Sequence, residues 1–479
     1  DDRKAPFQGV SVSVKNTSVA VLTDKSGNYK IDVPTAEAIL IYSYIGFVRK
    51  EVKVSRSAVV NIALELEDTK LNEVVVTALG IKREEKALGY SITTVKGEDL
   101  TNAISNNWTD ALSGKVAGLN LLRSNGGPAA SNRIILRGEN SLSGGTEALI
   151  VLDGVVISSS SGRVTGNGSA YLGEDSPTDY GSAINDINPA DIESVSVLKG
   201  PGATALYGAR GAGGAIIITT KLADPKVKGI GVTFNSNASF ESVSRWPDYQ
   251  NEYGQGAGGA DYYSYGNSVD GVSTRSTSAA FGPKFDGQEY FQFDPNTLTT
   301  GTSRTPWVAY PDNKKDFFEV GRTLTNSLSL EGGTKSTSAR LGYTNVNNSW
   351  IIPNTGYERN TVSLSVTQKV TPKLQITAKA TYTNKFSDNL PAMGYNNQTI
   401  MYWMVRQVPN ADLSWFQPYW LPGQEGLVQN RPFVSVVDNP YLITNEMLNK
   451  DNRNTVTGNV QATYSFTENL SLLVRTSLD

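Results

Sequence analysis

Downstream of residue 228, apolar residues fall on every second position in seven separate stretches. Such two-residue periodicity gives an extended chain one apolar face and one polar face. The stretches are Gly229–Phe240, Leu324–Gly332, Thr337–Val346, Arg359–Val370, Leu374–Asn384, Asn454–Phe466 and Leu470–Thr476. Val362, Leu364 and Val366 carry the alternation in one of them. Val460, Ala462, Tyr464 and Phe466 carry it in another, and Leu470, Leu472 and Val474 in a third. The connectors alternate in length. Tight turns lie at 333–336, 371–373 and 467–469, and long connectors at 241–323, 347–358 and 385–453. Strands of roughly ten residues with short turns at one end and long loops at the other predict a transmembrane antiparallel β-barrel. A soluble β-sandwich also alternates, but it has no reason to sort its loops by length.

Seven is an odd number, whereas single-chain bacterial barrels have even counts, and a plugged barrel needs about 22 strands. An open sheet edge in lipid would leave backbone N–H and C=O groups unsatisfied. The sequence is therefore expected to be the N-terminal part of a longer protein. It begins at Asp1 on a polar segment with no signal peptide, as a mature or trimmed terminus would.

Three regions precede the strands. Residues 1–66 predict a small β-sandwich, with strands at Val10–Val14, Ser18–Leu22, Tyr29–Val33, Ile39–Tyr44, Lys50–Val54 and Val59–Leu66. Asp24-Lys25-Ser26-Gly27-Asn28 reads as a hairpin turn; a calcium loop would need further carboxylates downstream. Residues 67–86 form a polar linker around one apolar run, Glu73-Val74-Val75-Val76-Thr77. Residues 87–221 form a glycine-rich α/β unit, and 222–479 the strand region.

Composition narrows the function. Of 479 residues, 39% are hydrophobic and 19% charged, and the net charge of −3 disfavours nucleic acid. No apolar run approaches the ~20 residues of a membrane helix; the longest lies around Ala148–Leu152. There is no Cys and no His, which removes thiolate chemistry and the commonest general base and metal ligand. No enzyme, metal or cofactor is expected. Gly200-Pro201-Gly202-Ala203-Thr204-Ala205 matches a dinucleotide-binding pattern, but the next strand, Ala215–Thr219, follows too soon for a βαβ crossover.

Several segments resemble the plug of TonB-dependent outer-membrane transporters. They are Leu149-Ile150-Val151-Leu152-Asp153-Gly154-Val155, the stretch Ile184–Glu193, and Leu198–Gly208, which includes Lys199, Gly200, Gly202, Tyr207 and Gly208. Ile134–Gly138 is similar to the plug's arginine-glycine motif, with Arg137 and Gly138 in place. Glu73–Thr77 resembles the TonB box. More narrowly, the chain resembles the SusC/RagA subfamily, whose N-terminal extension is a carboxypeptidase-regulatory-like sandwich. Phe281–Gly287 and Asp316–Gly321 also resemble loop segments of that subfamily. One departure is a first strand that precedes the segment matching Asp2–Val10 in the family and is absent here.

The resemblance implies active import of oligomeric nutrients, glycan or peptide, across the outer membrane of a Gram-negative bacterium. It implies a SusD-like surface lipoprotein as lid, energy from TonB, contact with outer-membrane lipids, and a homodimer of SusC–SusD pairs. A siderophore or cobalamin receptor is the alternative within transport, and a soluble β-rich adhesin the alternative outside it.

The residues add their own expectations. Glycines at 200–214 allow positive φ and close backbone approach. Arg137 is either buried against a carboxylate such as Glu193 or solvated at the surface. Glu73–Thr77 either adds as a strand to another protein's sheet edge or belongs to the plug. The 385–453 connector is rich in aromatics: Tyr395, Tyr402, Trp403, Trp415, Phe416, Tyr419 and Trp420. Tyr402, Trp403, Trp415, Tyr419 and Trp420 are candidates for contact with cargo or lid; the other reading is packing among themselves.

Overall fold

The computed structural model describes residues 6–15, 17, 19–35, 38–44, 47, 49–54, 59–64, 74–76, 82–84, 92–101, 107–139, 146–157, 178–224, 229–265, 268–271, 279–394, 397–432 and 437–479. Two compact units result, residues 1–75 with 82–89, and residues 76–81 with 90–479.

In the first unit, β1 (Ser11–Val14), β2 (Ala20–Leu22), β3 (Ile39–Ser43) and β4 (Lys50–Lys53) form an antiparallel sheet in the order β2-β1-β3-β4. Val12, Val14, Leu40 and Tyr42 point into its core. Asp24 caps the expected turn, accepting from the amides of Ser26 and Asn28, both at 2.8 Å. Two expected strands are not strands. Tyr29–Val33 and residues 59–64 lie outside the named strands, although Tyr29, Ile31, Val33, Val60 and Ile62 cover the core as a second layer. Their alternation reports burial of one face, and side-chain bonds stand in for some of the missing ladder: the Tyr29 hydroxyl donates to the Val60 carbonyl at 2.9 Å. β5 (Val74–Val76) pairs with β6 (Lys82–Glu84).

The second unit opens with the α/β module. β7 (Ile92–Lys96) leads into α1 (Gly97–Thr101), and β8 (Leu119–Arg123) pairs with β9 (Asn132–Leu136). Then come β10 (Leu149–Leu152), β11 (Val155–Ile157), α2 (Ala183–Asp186), β12 (Ile192–Leu198), α3 (Pro201–Tyr207) and β13 (Ala215–Thr220). The main sheet runs β11-β10-β13-β12-β7. Central β13 begins Ala-Ile-Ile-Ile and is buried along that run, as a strand covered on both faces should be. β12 and β13 are antiparallel, so α3 is not a crossover helix and the dinucleotide reading fails on topology.

The remaining strands are β14 (Ile230–Glu241), a hairpin of β15 (Glu289–Asp294) and β16 (Thr299–Pro306), then β17 (Gly321–Gly333), β18 (Thr337–Ser349), β19 (Gly356–Lys369), β20 (Leu374–Asn389), β21 (Asp451–Ser465) and β22 (Ser471–Leu478). All seven strands expected from the alternation lie in one antiparallel sheet, ordered β14-β17-β18-β19-β20-β21-β22. Several run past the expected ends, β18 to Ser349 and β20 to Asn389. Those extensions are mostly polar and carry no apolar signature, but the backbone ladder continues through them. The long connectors are folded rather than open. They contain the β15–β16 hairpin, α4 (Ile400–Arg406) and α5 (Pro440–Glu446) around an aromatic core.

Burial in this sheet is inverted relative to a soluble protein. In β19, Thr361 is 1% exposed while its neighbour Val362 is 40% exposed. Arg340, Thr344, Arg359, Ser363, Ser365, Thr383 and Lys385 are buried; Leu328, Leu341, Tyr343, Leu364, Tyr382, Val456 and Val460 are exposed. The polar face is covered by the α/β module and the apolar face is bare.

Candidate functional site

The α/β module meets the polar face through acidic side chains placed by its turns. Asp153 and Gly154 have φ of 49° and 84° and join β10 to β11 in a two-residue hairpin. Positive φ at both positions is the geometry that Asp-Gly favours. The turn aims the Asp153 carboxylate at β13, where it accepts from the Thr220 amide (3.0 Å) and hydroxyl (2.6 Å). Lys379 of β20 completes the set, 2.6 Å from Asp153 Oδ1 and donating also to the Thr220 carbonyl at 2.9 Å.

Two further pairs repeat the arrangement. Asp191, in the short 3₁₀ turn before β12, lies 2.7 Å from Arg340 of β18, and both side chains are about a tenth exposed. Asp186, the last residue of α2, lies 2.9 Å from Arg453 of β21. Neutral groups fill the gaps. Arg359 donates to the Asn185 carbonyl, Lys385 to the carbonyls of Ala129 and Tyr180 at 3.0 and 3.2 Å, and Asn188 to the Thr344 hydroxyl at 2.7 Å. Each acid comes from the module and each base from the sheet. Buried pairs of this kind contribute little net stability, because desolvation offsets attraction, but removing one partner strands a charge. The contact is specific and mostly polar on the sheet side, where Val346 and Tyr357 form a small apolar patch with Ala129 and Tyr180 of the module. Water replacing the module would bare only that small patch on an otherwise polar wall.

The sequence-predicted residues separate into groups. Asp153 and Gly154 are in the contact; a Cβ on Gly154 would strike the Arg475 guanidinium at 1.7 Å. Gly200, Gly208 and Gly138 hold φ of 66°, 62° and 89° at turns, and Gly202 lies within α3, which ends at Tyr207. Lys199 donates to the Thr93 hydroxyl at 3.1 Å, tying β12 to β7. Arg137 takes the second of its two readings. It is exposed, at φ 63°, and among the described residues it forms no ion pair with Glu193 or any other carboxylate. The left-handed turn swings its side chain out of the β9 line, so the solvated reading holds. Val74–Val76 are in β5; Glu73 and Thr77 lie outside the described residues.

The aromatics also divide. Trp403 is 1% exposed, and with Tyr402, Trp415 and Phe416 it forms the loop core with Phe293 and Phe317. These three candidates, Tyr402, Trp403 and Trp415, therefore pack within the loop and are not contact residues. Tyr419 and Trp420 are only partly buried, 6.2 Å apart ring to ring, and both donate to Glu446 Oε1. Burial and that bond push the Tyr419 hydroxyl pKa up. Tyr395 lies outside the described residues.

Arg340, Arg359, Lys379, Lys385 and Arg453 were missed by motif reading. A signal existed: each occupies the parity opposite to its strand's apolar residues, so each had to face inward.

An apolar-out, polar-in antiparallel sheet closed over a compact α/β module is the arrangement of a plugged outer-membrane receptor. Comparison with known proteins gives the class a name. Residues 84–215 match the TonB-dependent Receptor Plug Domain, and residues 1–76 match the CarboxypepD_reg-like domain. TonB-dependent receptor SusC of Bacteroides thetaiotaomicron is 28% identical over 97% of this chain and 42% of its own length. A TonB-dependent receptor of Formosa agariphila is 24% identical over 96% of the chain and 39% of its own length. The RagAB peptide importer in its open-open state superposes with a TM-score of 0.59 at 20% identity, covering 84% of this chain and 42% of that one. At that identity the likeness is one of fold. The chain is a homologue of the SusC-type TonB-dependent receptors and spans about two fifths of the length of these curated relatives. Its fold is an N-terminal regulatory-like domain, a plug, and part of the receptor's barrel strands.

Proposed function

We propose that the protein imports oligomeric nutrients across the outer membrane in a TonB-dependent manner, with the plug leaving a polar lumen when it moves. The observation that carries this is the inverted burial of β17–β21, polar against the plug and apolar on the outside. Such a wall suits lipid on one side and water on the other. Among the described residues no helix is long and apolar enough to cross a membrane. The domain plan is 1–66 sandwich, 67–86 linker with the TonB box, 87–221 plug and 222–479 barrel strands, in a barrel of about 22 strands. Tight turns face the periplasm and long connectors the cell exterior.

A SusD-like lipoprotein lid and a homodimer of such pairs fit the subfamily that the motifs resemble. RagAB is a peptide importer, which makes oligopeptide a cargo to test beside glycan. No reaction is catalysed. Asn188 and Thr344 provide the test, because their side chains meet at 2.7 Å across the plug boundary. With both changed to Cys in a chain that has no other, oxidation should block uptake and reduction should restore it. Unchanged uptake with the crosslink formed would refute passage by plug movement.

A further inference from the structure

One row of the outward face breaks its apolar character. Ser236, Asn326, Asn345, Asn360, Asn384 and Asn454 are consecutive cross-strand partners over six adjacent strands. Their parity is that of Phe234, Leu328, Tyr343, Val362, Tyr382 and Val456, which form the next row toward the tight turns. The carboxamides are tied to one another and to the tyrosines below. Asn345 donates to Asn360 (2.9 Å), Asn384 to Asn454 (3.0 Å), the Tyr343 hydroxyl to Asn360 (2.8 Å) and the Tyr382 hydroxyl to Asn454 (2.7 Å).

The register fixes the height of this row. It lies about 9 residues from the tip of the first tight turn, about 12 from the second and about 14 from the third. A slip of about two residues per strand pair corresponds to a strand tilt of about 40° at ordinary strand spacings. With the turn tips level, the row climbs from about 25 Å to about 35 Å above them. The apolar band of such barrels is about 25 Å tall. The asparagines therefore begin where the hydrocarbon ends and rise through the headgroup layer.

We propose that this row binds the saccharide headgroup of a glycolipid in the outer leaflet; the inference rests on the membrane-spanning reading above. Carboxamides carry two donors and an acceptor each and suit the mixed donor and acceptor character of sugar hydroxyls. Phosphate recognition would call for Arg or Lys, and the row has none; Glu358, which accepts from Asn345 and Asn360, gives the strip an acidic edge instead. Tyr343 and Tyr382 sit directly beneath, where an interfacial ring belongs.

The test uses the protein purified from its native outer membrane and placed in nanodiscs of phosphatidylethanolamine alone, with phosphatidylglycerol, or with digalactosyldiacylglycerol. The galactolipid should raise the melting temperature and remain bound in native mass spectrometry, and phosphatidylglycerol should do neither. Asn345→Ala/Asn360→Ala/Asn384→Ala should retain roughly tenfold less galactolipid, and the rise in melting temperature that galactolipid gives over phosphatidylethanolamine alone should vanish. Should that variant fail to insert, Asn360→Ala is read in its place. Equal retention by an inserted variant, or an equal rise with phosphatidylglycerol, overturns the proposal. Loss of heat-modifiable migration by the wild type in every disc would instead overturn the membrane-spanning reading.

Discussion

Lys379 and Asp153 meet at 2.6 Å although 226 residues separate them, one on a lumen-facing strand and the other at the tip of a plug hairpin. Both side chains are nearly nine-tenths buried, so the pair is shielded from salt and its partners cannot be separated without leaving a charge in a poor solvent. Asp153→Ala should therefore loosen the plug by about 3–5 kcal/mol. Asp153→Ala/Lys379→Met should recover most of that loss. Urea-induced channel opening in planar bilayers reads the difference; equal opening by wild type and single variant would contradict it.

The sidedness of the sheet can be read by cysteine labelling, since the chain has no native Cys. Glu425 lies exposed in the 385–453 connector and Lys373 exposed in a tight turn. Glu425→Cys should react with an impermeant maleimide on intact cells. Lys373→Cys should react only after the outer membrane is opened. The reverse pattern would invert the topology.

Val75 lies in the short strand β5, paired with β6. Val75→Pro removes a backbone donor and fixes φ, so the segment can no longer pair fully as a strand. Uptake should be abolished while binding at the outer face stays within about twofold of wild type. Growth on the cargo as sole nutrient, beside binding to the purified complex, separates the two. Normal growth would show that Glu73–Thr77 is not the coupling segment.

The connector aromatics should behave as two populations. Trp403→Ala should cost about 3–5 kcal/mol in the stability of the loop domain, because a fully buried indole leaves a cavity. Tyr419→Ala and Trp420→Ala should each cost under about 1 kcal/mol and act on cargo or lid affinity instead. Thermal unfolding with calorimetric binding tests both, and a large stability loss at Trp420 would place it in the core with Trp403.

The strands were legible because their periodicity is local: Val362, Leu364 and Val366 announce a face without reference to any other segment. Asp153 and Gly154 were singled out only through the resemblance to the plug; the hairpin that the φ demands of the two residues set was not read from the sequence. The partners of Asp153, Asp186 and Asp191 were not legible either, since those contacts depend on a register that no single strand encodes. Tyr402, Trp403 and Trp415 could not be told from Tyr419 and Trp420 by composition, because which aromatics a loop swallows is decided by its own tertiary fold. Tyr29–Val33 shows the opposite failure. Alternation gave the buried face correctly and the ladder wrongly.

Among the described residues, β7 lies at the edge of the plug sheet, bonded to β12 alone, and is the first strand of that sheet reached from the N-terminal side. Tension applied to the linker therefore enters the plug at one margin. Its ladder with β12 would give way a bond or two at a time, at far lower force than if all five strands were loaded together. The Asp186 and Asp191 pairs, fixed to α2 and the turn before β12, lie beyond that first strand along the load path. A modest pull could thus unravel a margin of the plug while its anchorage to the wall still holds, and the same strand could refold in place once the tension is released.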